Sequence, residues 1–69
     1  MKLSARNVLQ GRVTGITSGS VNDEIIMELK DGVEVVPIIT RESAENLKLE
    51  IGKEACAVIK ASNVMIAID

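Results

Sequence analysis

Four side chains stand out by type and place. Ser4 and Arg6 precede the first apolar stretch, Thr40 opens a polar, helix-like segment, and Lys60 closes the last long apolar run but one. All four are hydrogen-bond donors at the ends of elements. A tetrahedral dianion offers only acceptor oxygens, so it needs donors from several directions and positive charge to offset its own. Arg and Lys give charge-assisted hydrogen bonds. Ser and Thr hydroxyls rotate to donate, and backbone N–H groups at turns and helix starts add fixed donors. Each residue also has an ordinary explanation: Thr40 as a helix cap, Arg6 and Lys60 as solvated surface charges. Composition and pattern alone describe a small β-barrel with donors suited to an anion.

Other chemistry is poorly supplied. There is no His to act as a general base, and the single cysteine, Cys56, lies between Ala55 and Ala57 in an apolar run. Free cysteine packs as a small hydrophobe, so Cys56 is expected in the core. The acids (Asp23, Glu24, Glu28, Asp31, Glu34, Glu42, Glu45, Glu50, Glu54 and Asp69) are scattered over turns and polar faces, as a solvated surface requires. No ordinary zinc or iron ligand set is present. The chain is therefore not expected to be an enzyme. Net charge is −2 and the pI is about 5.0. Nucleic-acid binders carry a basic surface, often with aromatic rings for stacking; this chain has neither, having no Phe, Tyr or Trp. No apolar stretch approaches the ~20 residues of a membrane span, and Met1–Leu9 is too polar for a signal peptide. The expected location is the cytoplasm, where an unpaired cysteine suits a reducing compartment.

The elements that must position these donors are short. With 69 residues the chain is read as a single domain, 1–69. A domain this size buries only ~60% of its unfolded surface and usually needs a staple. One cysteine cannot form an internal disulfide. Subunit association remains, and a hydrophobic fraction of 46% supports it. Strands are expected at Asn7–Thr17, Glu24–Lys30, Val33–Ile39, Glu54–Lys60 and Val64–Ile68. Gly11 and Gly15 mark a bulge or bend in the first, Asp31-Gly32 a hairpin turn after the second, and Pro37 an edge or bulge in the third. A two-turn helix starts at Thr40, with Ala44, Leu47 and Ser43 as its inner face. Five short strands with a helix between the third and fourth is the order of an OB-like barrel. The expected fold is all-β with one short helix, a five-stranded OB-like barrel that is oligomeric.

Several motifs agree with one family. Ser4-Ala5-Arg6-Asn7-x-Leu9-x-Gly11-x-Val13 resembles the opening of the molybdate-binding Mop domain of the molbindins. Val21-Asn22-Asp23-Glu24-Ile25 is similar to that family's Val-Asn-x-Glu-Val, and Ile38-Ile39-Thr40 with Ser43 to its Ile-[Ser/Thr]-x-x-Ser. The run Ala57-Val58-Ile59-Lys60-Ala61-Ser62-Asn63-Val64-Met65-Ile66 is similar to its closing segment. The likeness covers essentially the whole chain in order. It implies a free-standing Mop domain that assembles into hexamers, as trimers of dimers, and binds molybdate, or tungstate as its mimic, at subunit interfaces. By that resemblance Ser4, the Ala5 backbone and Arg6 come from one side, and Thr40, Lys60 and the Ala61 backbone complete the cage. Many family members carry Ser after the closing lysine where this chain has Ala61. If that position acts through its N–H, the change is tolerated; if a hydroxyl is needed, Ser62 must supply it. A second oxyanion site, near a threefold axis, is implied around Gly19, Ser20, Val21 and Asn22, which otherwise simply form a turn. The expected function is cytoplasmic molybdate storage or homeostasis. The competing readings are an oligomeric assembly module and a nucleic-acid-binding OB module.

Overall fold

The computed structural model describes residues 2–69. In chain order it contains β1 (Asn7–Ser18), β2 (Asn22–Leu29), β3 (Glu34–Val35), β4 (Ile38–Thr40), α1 (Arg41–Asn46), β5 (Glu54–Ile59) and a 3-10 turn, Ala61–Asn63. β1 is the hub. Its first half, Asn7–Arg12, pairs antiparallel with β5, and Gly11–Ser18 pairs antiparallel with β2. Val13 faces Met27 and Gly15 faces Ile26, which leaves Thr14 as the extra residue of a β-bulge. A bulge bends its strand and increases twist, so the sheet curls here. At Gly11 a Cβ would stand 2.7 Å from the Glu28 carbonyl oxygen, so only glycine lets β1 and β2 approach this closely.

Alternation along β2 turns Ile25 and Met27 inward onto Val13 and Ala57, and these four form the core. Ile16, Val35, Ile39, Leu49 and Ala55 pack around them. Val13 and Ile25 are the large side chains most completely enclosed, at 1% exposure each.

The expected third strand, Val33–Ile39, is two strands. Pro37 lacks an N–H and breaks the ladder between β3 and β4, while its carbonyl still accepts from the Ile25 N–H at 2.9 Å. Both pieces pair with β2, so the sheet order runs β3/β4, β2, β1, β5. The hairpin turn is where it was expected, with Gly32 at φ +80°. The helix begins as expected: the Thr40 hydroxyl accepts the Ser43 N–H. With six residues it buries only Ala44; Ser43 and Leu47, expected on the inner face, are exposed. Its far end is held by Lys53, whose Nζ donates to the carbonyls of Leu47 at 2.9 Å and Lys48 at 3.1 Å.

Three further expectations need correction. Val64–Ile68 does not pair as a strand within the chain; after the 3-10 turn it runs irregular and exposed. Cys56 is exposed rather than in the core, because the alternation of β5 turns its neighbour Ala57 inward instead. Asp23 is not a solvated acid: it is 5% exposed, on the same face of β2 as Ile25 and Met27, and its Oδ1 has no hydrogen-bond partner among the described residues. The sheet is thus a half-barrel. Its β5 side and its β3/β4 side line an apolar groove of about 350 Å³, to whose lining Met27 and Leu49 also contribute.

Candidate functional site

The β1–β5 ladder ends with Asn7 opposite Ile59. Arg6 and Lys60 adjoin that last pair, one on each segment, just before the chain turns at Ala61–Asn63. The Asn7 Nδ2 donates to the Ile59 carbonyl at 3.3 Å and pins the two segments together where the ladder stops. Residues from the two ends of the chain therefore meet at one rim of the sheet. They line an open depression of about 640 Å³ formed by Ser4, Ala5, Arg6, Val58, Lys60, Ala61 and Ser62.

The electrostatics of this rim are one-sided. It has two cations and no carboxylate among its lining residues, in a chain with ten Asp and Glu. Among the described residues the ion pairs are Arg12–Glu54 and Arg41–Glu45, so Arg6 and Lys60 stand unpaired. Ser4, Arg6, Lys60 and Ser62 are exposed and Ala5 is half-buried. Lys60 precedes the 3-10 turn with extended backbone, φ −62° and ψ 131°. The turn closes through Asn63 N–H to Lys60 O at 2.9 Å and Val64 N–H to Ala61 O at 3.3 Å. The first N–H groups of such a turn have no carbonyl before them within it, so the turn itself does not use the Ala61 and Ser62 amides. At position 61 an amide donor is therefore on hand without a hydroxyl. Val58 was not anticipated; the alternation of β5 places it on the same face as Lys60, and that was the available signal.

The structure separates Thr40 from this rim within one chain. Thr40 pairs with Asn22 across β4 and β2, beside the Gly19–Asn22 turn. In this second region the polar groups are engaged with one another. Gly19 N–H donates to Asn22 O at 2.8 Å, and Arg41 N–H donates to Val21 O at 2.8 Å. The Thr40 hydroxyl donates to Ser43 Oγ at 2.7 Å while accepting the Ser43 N–H at 3.1 Å. Arg41, which the sequence reading passed over, reaches Gly19 O with Nη1 at 3.4 Å and lies 3.9 Å from the Glu45 carboxylate. Its position directly after Thr40 was the clue to it.

Among the described residues no group of three or more His, Cys, Asp or Glu converges as a cation site, and no helix is long and apolar enough to cross a membrane. The rim can therefore do one kind of chemistry readily: offer positive charge and hydrogen-bond donors to an anion.

The TOBE domain model matches residues 3–66. A probable molybdenum-pterin-binding protein of Haemophilus influenzae is 41% identical over 69 residues, covering all of both chains. The molybdenum transport protein ModE of Azotobacter vinelandii is 46% identical over 69 residues, but the chain spans only 26% of its length. Among solved structures, a molybdate-binding protein from Sporomusa ovata superposes with a TM-score of 0.94 at 35% identity, covering 99% of this chain and all of that one. The cytoplasmic molybdate-binding protein ModG, with molybdate bound, superposes with a TM-score of 0.91 at 46% identity over 94% of this chain and 46% of that one.

Proposed function

The chain belongs to the TOBE domain family, with an OB-like fold shared with its Mop relatives, and from that premise we propose that it binds molybdate, or tungstate as its mimic, for storage or homeostasis in the cytoplasm and without catalysis. The observation that carries the reading is the rim itself: Arg6 and Lys60 brought together by strand register, unpaired, with Ser4, Ser62 and the Ala61 amide beside them and no carboxylate among the lining groups. The names of full-length relatives point the same way, and so does the molybdate bound to ModG, about half of whose length the chain spans. The ligand is the bare oxyanion rather than a pterin complex, since the chain has no aromatic ring to stack on a pterin.

Each part of the site has a role that its chemistry supplies. Arg6 and Lys60 offset the two negative charges, and each charge-assisted hydrogen bond contributes about 1.5–3 kcal/mol. Ser4 and Ser62 donate hydroxyl protons to oxygens the cations do not reach. The Ala5 and Ala61 amides add fixed donors. The depression is open and far larger than a tetraoxoanion, and closure by a second subunit is in keeping with a hexamer built as a trimer of dimers. Thr40 contributes to the rim only from such a neighbouring subunit. Burying a dianion without partners is costly; an interface that supplies donors from two sides meets that cost, and the anion then favours the assembled state by mass action. Selection against sulfate follows from radius, because donors held for the larger anion stand too far from sulfate oxygens. Phosphate, partly protonated near neutral pH, brings a donor to a site made of donors. The Gly19–Asn22 turn is a second, weaker oxyanion position.

Equilibrium dialysis of the wild type against molybdate, beside Lys60→Ala, tests the reading. Binding to the wild type that falls about tenfold to a hundredfold in the variant, the equivalent of one charge-assisted bond, supports it. Equal affinity in both, or equal affinity of the wild type for sulfate, would refute it. The assembly-module alternative has support of its own in the open apolar groove and exposed C-terminal segment, and Lys60→Ala separates the two: storage predicts lost anion with assembly kept.

A further inference from the structure

Asp23 stands where the fold calls for an apolar side chain. It shares the inward face of β2 with Ile25 and Met27, and the register sets it opposite Ser18 on β1 and Ile39 on β4. It is 5% exposed, and its Oδ1 has no hydrogen-bond partner among the described residues. The ion pairs among those residues are Arg12–Glu54 and Arg41–Glu45, so no cation offsets it. A buried carboxylate without a compensating partner lowers stability, and departures of this kind concentrate at functional sites. The motif Val-Asn-x-Glu-Val does not itself demand an acid at this place.

The register ties Asp23 to the turn. Ser18 and Asp23 are the last pair of the β1–β2 ladder, so Asp23 stands at the base of the Gly19–Asn22 turn, the proposed second oxyanion position. The cation that reaches this turn is Arg41, whose Nη1 donates to Gly19 O at 3.4 Å. Its charge is already shared with Glu45 at 3.9 Å, and Glu42 adds an acid to the first turn of α1. Asp23 therefore leaves the turn with more negative than positive groups. The rim has the opposite balance, with Arg6 and Lys60 and no carboxylate among its lining residues.

We infer that Asp23 decides which of the two positions takes an oxyanion: its carboxylate keeps molybdate off the Gly19–Asn22 position at concentrations that fill the rim. A carboxylate and a tetraoxoanion both offer acceptors, so neither satisfies the other. Their like charges repel, and a buried group is screened less than a surface one. Asp23 need not touch the anion to act in this way; it is a specificity residue that works through its field. The inference rests on the proposed oxyanion reading, and it supplies a reason for the weakness of the turn position beyond the engagement of its donors.

Equilibrium dialysis of the full-length protein against molybdate provides the test, with wild type, Lys60→Ala, Asp23→Asn and the double variant side by side. Asparagine keeps the shape of Asp23 and removes its charge. Lys60→Ala silences the rim, so its residual uptake reports the turn. The double variant is expected to bind molybdate at least about fivefold more tightly than Lys60→Ala alone, the effect of removing one nearby like charge. Asp23→Asn alone is expected to add a second class of bound anion while rim affinity stays within about twofold. No gain in the double variant would overturn the inference. Asp23→Ala in the Lys60→Ala background separates charge from packing: a gain like that of Asn is expected, whereas a gain with Ala and none with Asn would mean opened space rather than lost charge, and would also overturn it. The two readings fail separately. Uptake abolished by Lys60→Ala and not regained with Asp23→Asn would leave the rim standing and refute the role of Asp23. A wild type that takes up no molybdate, with uptake appearing in Asp23→Asn, would refute the rim and leave that role standing.

Discussion

The two polar regions of the molecule have similar residue types and different capacities. At the rim, Ser4, Arg6, Lys60 and Ser62 converge, and neither cation has an acidic partner. At the Gly19–Asn22 turn, Thr40 and Arg41 are also present, but their donors are already directed at Ser43, Gly19, Val21 and Glu45. A donor committed inside the fold must break a hydrogen bond before it serves a ligand, and the net gain is then small. On this reading, capacity to bind is set by unsatisfied donors rather than by their number. It also explains why Thr40 reads equally well from sequence as a cap or as a ligand: the residue type is the same, and only its partner decides.

Substitutions at each region can break or sharpen this contrast. The largest effect is expected for Arg6→Ala combined with Lys60→Ala, which should weaken molybdate binding at least about a hundredfold, from two charge-assisted bonds, while circular dichroism stays unchanged. Calorimetric titration measures it, and a loss under tenfold would move the site elsewhere. Ser4→Ala should cost about threefold to tenfold, the value of one neutral hydrogen bond, by the same titration. Thr40→Ala should act on stability instead. Loss of an N-cap costs about 1 kcal/mol, and a thermal melt should show a fall of about 4–8 °C. Its molybdate affinity in the same assembly should fall no further than that of Ser4→Ala, as expected of one neutral hydroxyl donated across an interface; a loss as large as that of Lys60→Ala would make Thr40 a dominant ligand. Smallest is Arg41→Ala, with less than about a threefold change in affinity, under the value of a single net hydrogen bond. A larger loss would mean that the turn region, not the rim, dominates binding.

Much of the local structure was legible in the sequence because its causes are local. Gly32 marks a turn, Thr40 a cap, and the alternation at Ile25 and Met27 a half-buried strand. The split at Pro37 was half legible: the missing N–H was evident, but not that two short strands would each pair with β2. Cys56 and Asp23 were misplaced for one reason. Hydrophobicity ranks residue types, whereas facing is set by strand phase, and one residue of phase reverses in and out. The candidate rim residues were nameable through their motifs, but their convergence was not, because it depends on a register that aligns Asn7 with Ile59. Val64–Ile68 has a strand's pattern and no strand's partner within the chain; apolar alternation records the demand for a neighbour and not which chain supplies it.

The most direct test of the central claim is native mass spectrometry of the wild-type protein titrated with molybdate and, separately, with sulfate. The account predicts a discrete oligomer that gains molybdate in whole steps and takes up no sulfate at matched concentration. An oligomer that binds neither anion, or both alike, would contradict it.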